Sequence, residues 1–139
     1  MKVILEGEVI VAAMEIGEEL ISTLTDYVQQ KKITAGSLNA IGALRNFELG
    51  YYYLDQKEYG RKRFEPISEL IVCSGNIALR DGKPFLHVHA ALGQENFTVV
   101  GGHLFSGIVA VTVEVILRPM NGEMKRSYNE RTGLYLLDR

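Results

Sequence analysis

The segment PFLHVHAALGQENFTVVGGHLFSG, Pro84 to Gly107, contains all three histidines of the chain: His87, His89 and His103. Its pattern is that of extended structure broken by turns. PFLHVHAAL reads as a strand, and GQEN and VVGGH are punctuation around a short one. Residues two apart on a strand point to the same face, so His87 and His89 project together while Val88 points away. LGQENF and the glycine pair Gly101-Gly102 give the chain enough turning capacity to return His103 beside them. Glycine also lets backbones approach closely there. Neutral imidazole is a favoured zinc ligand, and three protein ligands on a tetrahedral ion leave one position for water or substrate. Spacing alone leaves a second reading open, in which the His-x-His pair is two surface residues and all three serve only packing.

Outward from this segment, sheet signals dominate. Downstream, GIVAVTVEVIL is the most β-branched run and is closed by Pro119. Upstream, ELIVCSGNIAL reads as a strand joined to the histidine strand by RDGK, a strong turn signal. SLNAIGAL and FELGYYYL read as strands broken at Gly42 and Arg45-Asn46, and QKEYGRKRF as a polar hairpin tip. The tail GLYLL predicts a last short strand, and the first 16 residues read as extended. One segment departs from this pattern. Leu20, Ile21, Leu24, Tyr27 and Val28 form an apolar stripe at helical spacing, with acids before it and Lys31-Lys32 after it. These signals predict a helix over Glu18 to Lys31. The chain as a whole, 1–139, reads as one compact α+β domain, mostly sheet, with one main amphipathic helix.

Bulk composition bounds the function. A chain of 139 residues is long enough to bury a core. A net charge of −2 gives no bulk footprint for nucleic acid. The one cysteine, Cys73, excludes an intrachain disulfide and a cysteine-rich zinc module; in its apolar strand it reads as a small core residue. No apolar run approaches the roughly 20 residues of a membrane span. Glu6 interrupts the N-terminal apolar stretch, which predicts a cytoplasmic protein.

Other residues invite chemistry. Glu114 lies in an otherwise apolar strand, on the face of Ala110, Thr112 and Ile116. It is the candidate catalytic carboxylate, either accepting from an imidazole N–H or acting as general base for bound water; the alternative is a surface or subunit-interface glutamate. Glu69 has the same ambiguity, with an ion pair or interface favoured. Arg45 and Arg80 could hold an anionic ligand. Asn76, after Gly75, reads as shaping a turn or bulge. Gly60 to Arg63, GRKR, resembles an AT-hook superficially, but the order differs and no proline follows until Pro66. Ser106 lacks the flanking pattern of a nucleophile elbow. The alternating Tyr51-Tyr52-Tyr53 run places at least one ring toward a core or subunit contact.

The LHVHAALG…GGHL arrangement resembles the plants and prokaryotes conserved domain, the PPC family, in its stand-alone prokaryotic form. The likeness extends along essentially the whole chain. GEELISTLTDYVQQKKITAGSLNAIGAL is similar to the family's opening helix and following strand. ELIVCSGNIAL is similar to its strand with Glu69 and Gly75-Asn76, and VTVEVIL to its late strand with Glu114. One departure is Ser68, where the family often carries an aromatic before the glutamate. The resemblance implies a mixed and antiparallel sheet, assembly as a homotrimer, and zinc at His87, His89 and His103. It also implies a fold similar to acetolactate decarboxylase, a zinc enzyme. Three functions are therefore expected to compete. The first is a metal-binding homotrimer with a small-molecule pocket, extending to a zinc-dependent lyase or hydrolase. The second is a non-enzymatic trimerisation module. The third is a DNA-binding protein, which the acidic balance and missing hook disfavour.

Overall fold

The structure, a computed structural model, describes residues 1–138. Nine strands form one sheet with a single helix packed on it: β1 (Lys2–Leu5), β2 (Ile10–Met14), α1 (Leu20–Gln30), β3 (Gly36–Tyr53), β4 (Glu58–Phe64), β5 (Ser68–Arg80), β6 (Lys83–Gly93), β7 (Val99–Pro119), β8 (Lys125–Asn129) and β9 (Leu134–Leu137). The protein is thus mostly β, and α1 is a minor element of the expected α+β class. Every strand pair is antiparallel except β5 with β8, so the sheet is mixed. No helix among the described residues is long and apolar enough to cross a membrane.

Four strands close on themselves. β3 pairs with β5 and β7, and β6 pairs with the same two, so β7, β3, β5 and β6 make a small closed ring. Closure removes the edges that would otherwise be left unpaired. Alternation then decides what fills the ring. Along β6, Leu86, Val88, Ala90 and Leu92 are buried, while the odd-numbered residues between them face outward. Leu44, Phe47, Ile77, Val109 and Val113 join them, and α1 adds Leu20, Leu24 and Val28 against β6 and β7. Truncating one such leucine to alanine costs about 2–5 kcal/mol.

Two expected strand breaks are bulges within long strands. SLNAIGAL and FELGYYYL form the single 18-residue β3, with pairing slips at Gly42 and around Asn46. Gly42 adopts φ +148, and a Cβ there would lie 2.1 Å from the Thr112 carbonyl oxygen, so only glycine fits. At this slip β7 gains residues over its partner. Val111 is therefore exposed, although its alternate neighbours Val109 and Val113 are buried. The glycine-rich short strand and GIVAVTVEVIL likewise fuse into the 21-residue β7, closed at Pro119 as expected.

The turn at RDGK is realised as expected. Asp81 and Gly82 both have left-handed φ, 51° and 75°, which the tight hairpin turn between β5 and β6 requires. The helix is shorter than Glu18 to Lys31. Glu19 is the N-cap, its carboxylate accepting from the Ile21 and Ser22 amides at 3.2 and 2.6 Å. The same side chain accepts from Gly107 N–H at 2.9 Å, which ties the helix start to β7. The charges read as dipole partners act elsewhere: Glu18 pairs with the N-terminal ammonium, and Lys31 with Glu6. The hairpin tip is also displaced. GRKR lies on β4, and the turn is formed by Leu54 to Lys57.

Candidate metal centre

Register carries the three histidines together. The β5–β6 ladder sets His87 opposite Asn76 and His89 opposite Ser74. The β6–β7 ladder sets His89 directly opposite His103. On its other side His103 faces Gly50 of β3, and a Cβ on Gly102 would lie 2.5 Å from the Gly50 carbonyl oxygen. The glycine pair therefore does permit a close backbone approach, and Gly102 is the member that needs it.

The Nε2 atoms of His87 and His89 are 3.3 Å apart, and the nitrogens the three rings offer lie within 4.8 Å of one another. Metal–nitrogen bonds of 2.0–2.1 Å define a tetrahedron whose edge is about 3.3–3.4 Å, so the first pair already has ligand spacing. His103 is buried, His87 half-buried and His89 exposed. Burial pushes the His87 pKa down to about 4, helped by the charges of Arg126 and His89. Burial does the same to His103, also to about 4, with His87, His89, Arg61 and Arg126 assisting. Both rings are consequently neutral at pH 7, the state a metal requires of imidazole.

Each ring has a distinct setting. His103 packs on Phe105 and Tyr59, with ring centroids 4.6 and 5.3 Å away. Its Nδ1 is buried and has no hydrogen-bond partner. Arg126 of β8 donates through Nη2 to the Asn76 Oδ1 at 2.8 Å and lies 3.2 Å from His87 Nδ1. A guanidinium can only donate, so in this contact His87 Nδ1 accepts and the neutral ring carries its proton on Nε2, facing His89 Nε2; ligation through Nε2 requires that proton to move to Nδ1 and the Arg126 contact to open. With the His87 proton on Nδ1, the paired Nε2 atoms, the orphaned His103 nitrogen and the neutral rings together fit a tetrahedral ion with an open fourth position.

His87 and His103 also line a cavity of about 640 Å³. Its walls include the rings of Tyr59, Phe85, Phe105 and Tyr135 and the guanidinium groups of Arg61, Arg80 and Arg126. Of the two arginines singled out from the sequence, Arg80 lines this cavity and Arg45 does not. Glu114 lies far along β7, exposed, in a separate cleft with Glu69, Thr112 and Ile41. Within one chain it does not meet the histidines. Asn76 shapes no turn or bulge: it sits in regular register and holds Arg126. Cys73 is buried, and desolvation pushes its thiol up to about 12. Of the tyrosine run, Tyr52 turns toward the cavity while Tyr51 and Tyr53 are exposed. Arg126, Tyr59 and Phe105 were not legible as site residues. No local motif marks them, and they reach the site only through β8, β4 and β7.

A closed β-ring with three convergent imidazoles beside an aromatic, arginine-lined cavity defines a β-rich domain with a candidate metal centre. The chain belongs to the Plants and Prokaryotes Conserved (PCC) domain family, which it matches over residues 1–121. It is 36% identical to a metal-containing protein from Archaeoglobus fulgidus (TM-score 0.89), covering 96% of this chain and 94% of that one. It is 32% identical to a plant- and prokaryote-conserved protein from Pyrococcus horikoshii (TM-score 0.88), with 96% and 92% covered. A protein from Bacteroides thetaiotaomicron with a provisional DNA-binding designation is 26% identical (TM-score 0.95), with 99% and 96% covered. A likeness of fold alone joins acetolactate decarboxylase from Bacillus subtilis subspecies spizizenii, at 12% identity and TM-score 0.58, covering 93% of this chain and 60% of that one. No curated protein matches the chain.

Proposed function

We propose that the protein is a zinc-binding homotrimer whose ion, held by His87, His89 and His103, faces a small-molecule cavity. The observation that carries this reading is the 3.3 Å separation of the His87 and His89 Nε2 atoms, with the third imidazole nitrogen inside the same 4.8 Å cluster. A three-imidazole donor set accepts several divalent transition metals, and zinc is the one most at home in it. The metal-containing relative supports a bound metal, of whatever identity. Bound there, zinc would supply Lewis-acid polarisation of a carbonyl or activation of water, the chemistry of a lyase or hydrolase. The chain's own residues would do the rest. Tyr59 and Phe105 would wall the site from solvent, and Arg126, by donating to His87 Nδ1, would set the tautomer that a metal has to displace.

The trimer rests on a second observation. Ile41, Ile71, Val72 and Val111 are exposed on the adjacent strands β3, β5 and β7, and Ile67, Phe97 and Val99 continue the patch at one end. A contiguous apolar surface of this kind marks an interface. Glu69 and Glu114 border it, a position that suits the interface role favoured for Glu69 and held as the alternative for Glu114. A DNA-binding role finds less support. Arg61 and Arg63 both pair with Glu48, at 3.3 and 3.7 Å, so the basic run of β4 is partly neutralised. Light scattering together with elemental analysis of untagged protein tests the proposal: three chains per particle and about one zinc per chain are expected. A monomer without metal would refute it.

A further inference from the structure

Among the described residues, Arg126 is a buried cation without a counter-charge. It is 8% exposed, and no carboxylate among the described residues lies within 4.0 Å of it. Its Nη1 donates to the Tyr135 carbonyl at 3.1 Å and its Nη2 to Asn76, while its Nε has no partner. Burying an uncompensated charge is costly, and such groups are normally paired with an anion. The imbalance extends across the cavity. Lys57, Arg61, Arg80 and Arg126 line it against one lining carboxylate, Glu58, although Arg61 also pairs with Glu48 at 3.3 Å. The chain as a whole carries a net −2, so this concentration of cations is local.

The shape of the cavity is equally informative. The Arg80 Cζ lies 4.0 Å from the Tyr135 ring centroid and the Arg61 Cζ 3.7 Å from that of Phe105, so both guanidinium groups sit over aromatic rings. The Arg80 contact with Asp81 is 3.8 Å long and exposed, and competes weakly for its charge. Aromatic walls accept a flat apolar body, and arginine's planar fork matches a carboxylate's two oxygens. A volume of about 640 Å³ is that of a small-molecule site.

We propose that this cavity binds a small, flat organic carboxylate, its anionic end at Arg126 and Arg80 and its body between the aromatic walls. The proposal rests on the metal-site reading only for the ion beside the ligand; the anion's place follows from the cavity. The test titrates benzoate, benzamide and inorganic phosphate into the full chain, as purified and after chelator treatment, by calorimetry. Benzoate is expected to bind about tenfold or more tightly than neutral benzamide, as loss of a hydrogen-bonded charge implies, and more tightly than phosphate, which lacks the flat body. Arg126→Gln should weaken benzoate by a similar factor. Arg80→Gln, at a partly exposed position that does not threaten folding, should weaken benzoate several-fold and leave benzamide unchanged. Equal binding of benzoate and benzamide, binding of phosphate as tight as benzoate, or an Arg80→Gln variant with unaltered benzoate affinity would each overturn the proposal. Protein that carries no metal as purified yet selects benzoate would remove the zinc reading and leave this one standing. Metal-loaded protein that does not select benzoate would do the reverse.

Discussion

Arg126 Nη2 lies 3.2 Å from His87 Nδ1 and donates to Asn76 Oδ1 at 2.8 Å, so one guanidinium nitrogen fixes the ring through the residue directly across the ladder from it. A metal at Nε2 needs the proton on Nδ1, which a guanidinium there opposes; partners that accept this N–H typically contribute 10- to 100-fold in affinity. Arg126→Gln, whose amide oxygen can accept from Nδ1–H, should strengthen metal binding by up to about that range while circular dichroism stays that of the folded protein. Competition against a chromophoric chelator measures it, and unchanged or weakened affinity would mean that Arg126 does not hold His87 in the tautomer that opposes metal.

The depressed histidines predict a pH dependence of the metal-free protein. In the folded state His87 and His103 titrate at about 4, whereas in the unfolded chain they titrate near 6.5. Between these values the unfolded chain binds more protons, so stability falls as pH drops from about 6.5 towards 4. Thermal melts of chelated protein across that window should show a falling Tm. His103→Gln, which removes one of the two groups, should flatten the slope; an equally steep slope in that variant would assign the effect elsewhere.

Gly102→Ala tests the close approach of β7 to β3. The added Cβ would meet the Gly50 carbonyl oxygen at 2.5 Å, and overpacking of this kind destabilises by about 1–3 kcal/mol. The same shift moves the neighbouring His103, so metal affinity should fall with Tm. A variant with wild-type Tm and metal content would show that the strands have slack there.

The exposed patch on β3, β5 and β7 predicts the effect of a charge at its centre. Ile71 is 52% exposed within one chain, so Ile71→Asp removes little from the monomer's own core but would place three carboxylates in a trimer interface. Light scattering should show dissociation to folded monomers. Persistence of the trimer would move the interface to another surface.

Much of the site was legible because it depends on local pattern. The alternation of HVH on a strand, the RDGK turn and the paired glycines are short-range signals, and the structure realises all three. What the sequence did not reveal is non-local. Arg126 reaches His87 because β8 lies parallel to the end of β5, a pairing with no turn to announce it. The breaks expected at Gly42 and Asn46 are bulges, because tertiary pairing with β7 carries the strand through residues that favour turns. Glu114 illustrates the converse. Its charge in an apolar strand was a real signal, but strand length and a bulge place it on an exposed face away from the histidines.

The central claim, a metal ion at three convergent imidazoles, is tested most directly by elemental analysis of untagged protein beside its His87→Ala variant. The account predicts about one zinc per chain in the parent and a loss of at least most of it in the variant, with a lowered Tm in the parent on chelation. A parent without stoichiometric metal, or a variant whose metal content and Tm equal the parent's, would contradict it.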